Sequence, residues 1–154
     1  MSAPKVNVKN TVKLRASATC PTHSLAEVSI RDVAFAIDEP TERGGTNLGP
    51  TPTDAALAAL IGCTNVIGHK CASKLGIDIG SLQIDATCEF DRRGVTLQED
   101  VDIPFVRIDL TIKTSKSVSE DDLNRLATDV SLYCPLSKLF RQAGTHIEEN
   151  WASA

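Results

Sequence analysis

No run in this sequence reaches the roughly 18 uncharged apolar residues that a membrane-spanning helix needs. The best candidate begins at Ala55, is diluted by Gly62, Thr64 and Asn65, and ends at His69 and Lys70. No export signal is expected either: Met1-Ser2-Ala3-Pro4-Lys5-Val6-Asn7-Val8-Lys9 has basic residues but no apolar core. There is no basic excess. A net charge of −4 argues against nucleic acid, whose phosphates call for a positive face. The five cysteines (Cys20, Cys63, Cys71, Cys88 and Cys134) are odd in number and contain no C-x-x-C, which argues against a structural disulfide framework. Repeats, low-complexity tracts and linkers are also lacking. The expectation is a cytoplasmic chain with a single domain over 1–154, acting on neither membrane nor nucleic acid.

What is present centres on Gly49-Pro50-Thr51-Pro52-Thr53-Asp54 and the run behind it. Proline disfavours helix in the residue before it but suits a first turn, so a helix should start near Pro52 to Asp54. It should end at about Leu75, with Gly76 as the stop. From Ala55 to Cys63 there is no charge, and a helix that is apolar all round is a buried one. Gly62 and Gly68 each weaken it by roughly 1 kcal/mol relative to Ala, which suggests close approach of another backbone.

Before this helix, Thr11 to Cys20 alternates apolar Val12, Leu14, Ala16 and Ala18 with polar residues, as a half-buried strand does. Ala26, Val28 and Ile30 continue as a second strand, and Val33, Phe35 and Ile37 as a short third. Asp38 to Pro52 is a long loop of the kind that is often functional. After the helix, Leu82 to Phe90 and Phe105 to Thr114 alternate as two more strands, separated by the charged turn Asp91-Arg92-Arg93-Gly94. Ser119 caps a helix with acids in its first turn, where the dipole favours them. Pro135 at N1 makes Cys134 the cap of a further short helix that Gly144 ends, and Thr145 to Trp151 closes as a last strand. The class is α+β. A helix apolar on every side needs cover on every side, and the strands of one chain suffice for one good sheet. A homodimer with central helices between two sheets satisfies both.

Several residues could carry chemistry. A thiol at a helix N-terminus is in a position that lowers its pKa, which singles out Cys134. Cys63 lies about three turns into its helix, beyond the reach of the dipole, so its reactivity needs a cation; Arg43 and Arg15 are the candidates by topology. Buried free cysteines more often pack as small hydrophobes. Cys63 and Cys71 are about 12 Å apart by helical rise, too far to bridge. Cys88 reads as core and Cys20 as a hairpin-tip thiol. Cys63 with Cys134 is the pair left that helix geometry allows. Cys20 and His23 have ligand-like spacing but no matching second pair, and His69 and Cys71 do not share a face. Gly44 to Gly49 lacks the Lys-Ser/Thr of a phosphate loop. No cofactor or metal is expected.

Gly44-Gly45-Thr46-Asn47-Leu48-Gly49-Pro50-Thr51-Pro52, leading into Leu57-Ala58-Ala59-Leu60-Ile61-Gly62-Cys63 and followed by Cys134-Pro135-Leu136-Ser137, resembles the OsmC/Ohr family of osmotically inducible and organic hydroperoxide resistance proteins. The order of elements matches over nearly the whole chain. The resemblance implies an intertwined homodimer of β3-α-β2-α2-β chains. It implies a peroxidase in which Cys63 reduces a small organic hydroperoxide and Cys134 resolves the sulfenic acid, with an external dithiol, a lipoylated protein in Ohr-like members, as reductant. It also implies departures. The family glutamate ten residues before the reactive cysteine falls on Thr53, beside Asp54, which helical spacing turns about 180° from Cys63. The family arginine falls in the turn Cys20-Pro21-Thr22-His23-Ser24, leaving Arg15 or Arg43 for that role. With aromatics at 4%, a large aromatic-lined peroxide pocket is not evident. The alternative is a non-catalytic, redox-sensitive or small-molecule-binding stress protein of the same fold.

Overall fold

A computed structural model describes residues 10–154. The reading of the first nine residues as free of an export signal lies outside them. The order of elements is the expected one, with three strands, a long helix, two strands, two helices and a strand. The strands form two three-stranded sheets, not the one sheet anticipated per chain. The chain divides between Ala55 and Ala56 into two compact units, each with its own sheet.

In the first unit β1 (Ser17–Thr19), β2 (Ala26–Ile30) and β3 (Val33–Ile37) form an antiparallel meander. The strand expected from Thr11 is shorter than its alternation suggested. Ser17 pairs with Ser29, and β2 turns away at Arg31, so nothing is left to pair with residues before Ala16. Val12 and Leu14 are accordingly 77% and 92% exposed. Alternation shows which way side chains point; it does not supply a neighbouring strand.

The loop after β3 is closed by Asp38, which is inaccessible to solvent. Its amide donates to the Pro50 carbonyl at 3.0 Å. Its carboxylate accepts from the Glu39, Thr46 and Leu48 amides at 2.8, 3.1 and 3.1 Å, and from the Thr46 hydroxyl at 2.5 Å. Within the loop, Thr41–Arg43 makes a 3-10 turn. A side chain at Gly45 or Gly49 would collide with the Glu39 or Ala36 carbonyl, so the sequence can place only glycine there.

Helix α1 spans Pro52–Leu75, as expected, and Gly76 in the left-handed region (φ +71°) ends it. Thr51 caps it, its hydroxyl accepting from the Asp54 amide at 3.1 Å. By length and hydropathy α1 could cross a bilayer, but it carries a packed face of Leu60, Thr64, Gly68, Cys71 and Ala72. The all-round burial expected of it is not seen within one chain: Ala58, Gly62 and Val66 are exposed, Val66 by 51%.

The second unit holds β4 (Leu82–Phe90), β5 (Phe105–Thr114) and β6 (His146–Ala152), with β5 central. The β4–β5 pair is antiparallel and β5–β6 parallel, the latter because α2 (Glu120–Tyr133) and α3 (Pro135–Gln142) carry the chain back. Ile108, Leu110 and Ile112 of β5 are fully buried beneath Leu60, Leu126, Val130, Cys134 and Phe140. Phe105 packs edge-on to Phe90 and Phe140 at 5.1 and 5.2 Å between ring centres.

Candidate functional site

The site is built at the junction of α2 and α3. Pro135 breaks the helix after Tyr133, leaving Cys134 extended (φ −72°, ψ 111°) as both the end of α2 and the cap of α3. Its sulfur accepts from the Ser137 amide at 3.4 Å, the capping bond expected of that position. On α1 the half-buried Cys63 lies one residue from the buried face. The tertiary structure brings these thiols together, with the Cys134 thiol donating to the Cys63 Sγ at 3.1 Å. They are free thiols with sulfurs in contact, positioned so that modest motion would form a bond.

The electrostatics of Cys134 reverse the sequence expectation. Burial is the largest influence and raises the pKa, and the hydrogen bond to Cys63 adds to it. The Ser137 and Leu136 amides pull the other way, but the thiol is pushed up to about 11. A helix N-terminus favours a thiolate only where water or a cation shares the task; at Cys134 desolvation wins. Cys134 is therefore a protonated donor to Cys63 at neutral pH. Burial likewise pushes Cys88 and Cys71 up, and both belong to the core or its margin; Cys20 is exposed.

The two arginines singled out from the sequence lie in the first unit. Arg43, at the end of the 3-10 turn, donates from Nε to Glu39 Oε2 at 2.6 Å and is largely exposed. Arg15 is in the exposed segment before β1, where it lines a concavity with Lys13 and Arg31. Asp54 is engaged at the start of α1, accepting from the Thr51 hydroxyl at 2.8 Å, and Thr53 shares that hydroxyl at 3.1 Å.

Sequence reasoning passed over a second set of polar residues in the second unit. Ser137 is buried, and its hydroxyl accepts from Arg141 Nε at 3.2 Å. Arg141 Nη2 stands 4.0 Å from Glu149 Oε1, whose side chain is only 7% exposed. That oxygen and the Trp151 indole nitrogen are buried without hydrogen-bond partners. Burial pushes the Glu149 carboxyl up, against the pull of Trp151 and Arg141. Two signals could have found the set: Ser137 and Arg141 are four apart on one helix, and Glu149 falls between Ile147 and Trp151 in the inward register of β6. Among the described residues no cluster of three His, Cys, Asp or Glu could hold a metal ion.

Solved structures share this arrangement of elements. An OsmC-like protein from Mycoplasma pneumoniae superposes with a TM-score of 0.73 at 19% identity, covering 93% of this chain and 96% of its own. An organic hydroperoxide resistance protein from Elizabethkingia anophelis gives 0.71 at 15% identity, covering 95% and 99%. The organic hydroperoxide resistance protein OhrB of Bacillus subtilis gives 0.65 at 16%, covering 92% and 98%. At these identities the likeness establishes the fold. No curated protein matches the sequence. The family model described as OsmC-like protein matches residues 45–150, a span that takes in both contacting thiols, and the chain belongs to that family.

Proposed function

We propose that this protein is a thiol-dependent peroxidase that reduces organic hydroperoxides through a Cys63 sulfenic acid resolved by Cys134. The observation that carries the reading is the 3.1 Å contact between the two sulfurs, with Cys134 as donor. A Cys63 thiolate attacks one peroxide oxygen. The O–O bond breaks, an S–O bond forms, and the departing alkoxide takes a proton to become an alcohol. The Cys134 sulfur then attacks the sulfenic sulfur, its thiol proton leaves with the hydroxide as water, and a disulfide remains. Two electrons from an external dithiol, such as a lipoylated protein, restore both thiols.

Arg43 and Arg15 are the cations proposed from the sequence to favour the thiolate; the Glu39 partner of Arg43 would have to release it for that role. The partner surface is proposed to be a second copy of the chain. The uncovered Ala58, Ala59, Gly62 and Val66 of α1 support this, since a side chain at Gly62 would meet no atom within 4 Å. A reducing cytoplasm is the compartment that would keep five cysteines free.

A second reading is a redox-sensitive or small-molecule-binding stress protein with little turnover. It is favoured by the Cys134 thiol being pushed up to about 11, which slows resolution. Hydroperoxide consumption with a dithiol reductant separates the two. Cys63→Ser should abolish consumption, whereas Cys134→Ser should form one sulfenic acid per chain and lose dithiol-coupled turnover. A parent protein inert to cumene and tert-butyl hydroperoxide would leave only the second reading.

A further inference from the structure

Glu149 is buried with an orphaned oxygen, an arrangement that costs stability unless something else uses it. α1 and the chain from Thr145 to Trp151 come near each other at two places. Ala56 and Thr145 line one cavity of about 270 Å³, and a Cβ at Gly68 would lie 3.4 Å from Trp151 Cη2. The two elements therefore run in the same direction. Thr64 shares the buried face of α1 with Leu60 and Gly68.

Arg141 Nη2 stands 4.0 Å from this carboxyl while its Nε donates to the Ser137 hydroxyl, and the Ser137 amide donates to the sulfur of Cys134, the α3 cap. We infer that the exposed Arg141 and the buried Glu149 are a charge pair that sets the ionisation of the Cys63–Cys134 thiols, acting as positioning residues through Ser137 and the α3 cap. The guanidinium favours a thiolate and the carboxylate opposes it. Arg141 is thus a cation for the thiols supplied by the same compact unit, additional to Arg15 and Arg43. Water is largely excluded around Glu149, so each charge is felt more strongly than at the surface.

Of the titratable groups on the elements packed against this carboxyl, the buried or half-buried ones are Cys63 and Cys71 of α1, Asp122 and Asp129 of α2, and Cys134 between α2 and α3; Arg141 of α3 reaches it from an exposed position, and Asp54, His69, Lys70, Lys74, Glu120, Asp121, Arg125, Tyr133 and Lys138 are exposed. Across the ladder Glu149 pairs with Leu110, and β5 presents only Ile108, Leu110 and Ile112 to that side. Asp129 acts on Cys71 and Lys74.

The inference rests on the thiol-pair reading but is tested without peroxide. The rate of Cys63 alkylation by iodoacetamide, followed by mass spectrometry of its peptide, is measured against pH for the full chain. Arg141→Met should move the profile to higher pH, and Glu149→Gln to lower pH, each by about 0.5–1 unit. Arg141→Lys, which keeps the charge, should stay near the parent. Opposite displacements are not what two merely destabilising substitutions produce. Shifts of the same sign, superimposable profiles, or Lys and Met behaving alike at position 141 would overturn the inference. Should Arg141→Met not fold, Glu149→Gln against Arg141→Lys decides it, because a profile unmoved by Glu149→Gln is fatal. A protein that shows these displacements yet consumes no hydroperoxide would refute the peroxidase and leave the charge pair standing.

Discussion

Two buried carboxyls in this protein have opposite fates. Asp38, in the first unit, has no solvent access and accepts four hydrogen bonds from Glu39, Thr46 and Leu48. The Thr46 hydroxyl is the largest influence, and it holds the carboxyl well below the usual range despite burial. Glu149, in the second unit, is nearly as buried, but one oxygen has no partner and its nearest cation is 4.0 Å away; burial dominates and pushes it up. A carboxylate with every lone pair engaged is a structural clasp. One left partly unsatisfied is free to respond to neighbouring charge. Satisfaction, more than burial, separates the two.

The largest expected effects lie on the clasp. Ala at Gly45 or Gly49 drives a Cβ into backbone that the Asp38 loop holds fixed, and should cost about 3 kcal/mol or more in chemical denaturation. Asp38→Ala leaves the Thr46 and Leu48 amides without their acceptor. It should lower the thermal midpoint by roughly 5–10 °C and open residues 39–49 to proteolysis. Glu149→Gln should lower the midpoint little or raise it, since it removes a charge that burial disfavours. A loss as large as that of Asp38→Ala would erase the contrast.

The pH dependences should also run in opposite senses. Asp38 has a depressed pKa, so its contribution is present above the unfolded value, about 3.9, and is lost as pH falls toward the folded value. Glu149 has a raised pKa, so the folded state binds the extra proton; stability falls as pH rises from about 4.3 to the folded value. Chemical denaturation from pH 3 upward should show the second decline in the parent and not in Glu149→Gln. The smallest expected effect is at Gly62. With no atom near its Cβ position within one chain, Gly62→Ala should add about 1 kcal/mol through helix propensity. A destabilisation there, growing with protein concentration-dependent association, would show that a second copy covers α1.

Much of the fold was legible. The Pro52 start and Leu75 end of α1 follow from proline and glycine rules, and the Ser119 and Cys134 caps from residue type and position. Strands β4 and β5 follow from strict alternation. The site was only half legible. Cys63 and Cys134 stood out by placement, but the sign of the Cys134 shift did not, because desolvation depends on what packs over the sulfur. Asp38 looked like any loop acid, and Glu149 like one acid in the pair Glu148-Glu149. The alternation of Ile147, Glu149 and Trp151 points it inward, but nothing local says that it arrives there without a full set of partners.

By itself, the sequence determined where the helices begin and end and which residues are chemically able to react, since backbone preferences and caps act over a few residues. Only the tertiary structure decided that sulfurs 71 positions apart would touch, and that Arg141 would reach across from α3 to a carboxyl on β6. Contacts of that range depend on sheet register and on which atoms exclude water, and neither is a property of any short stretch of chain.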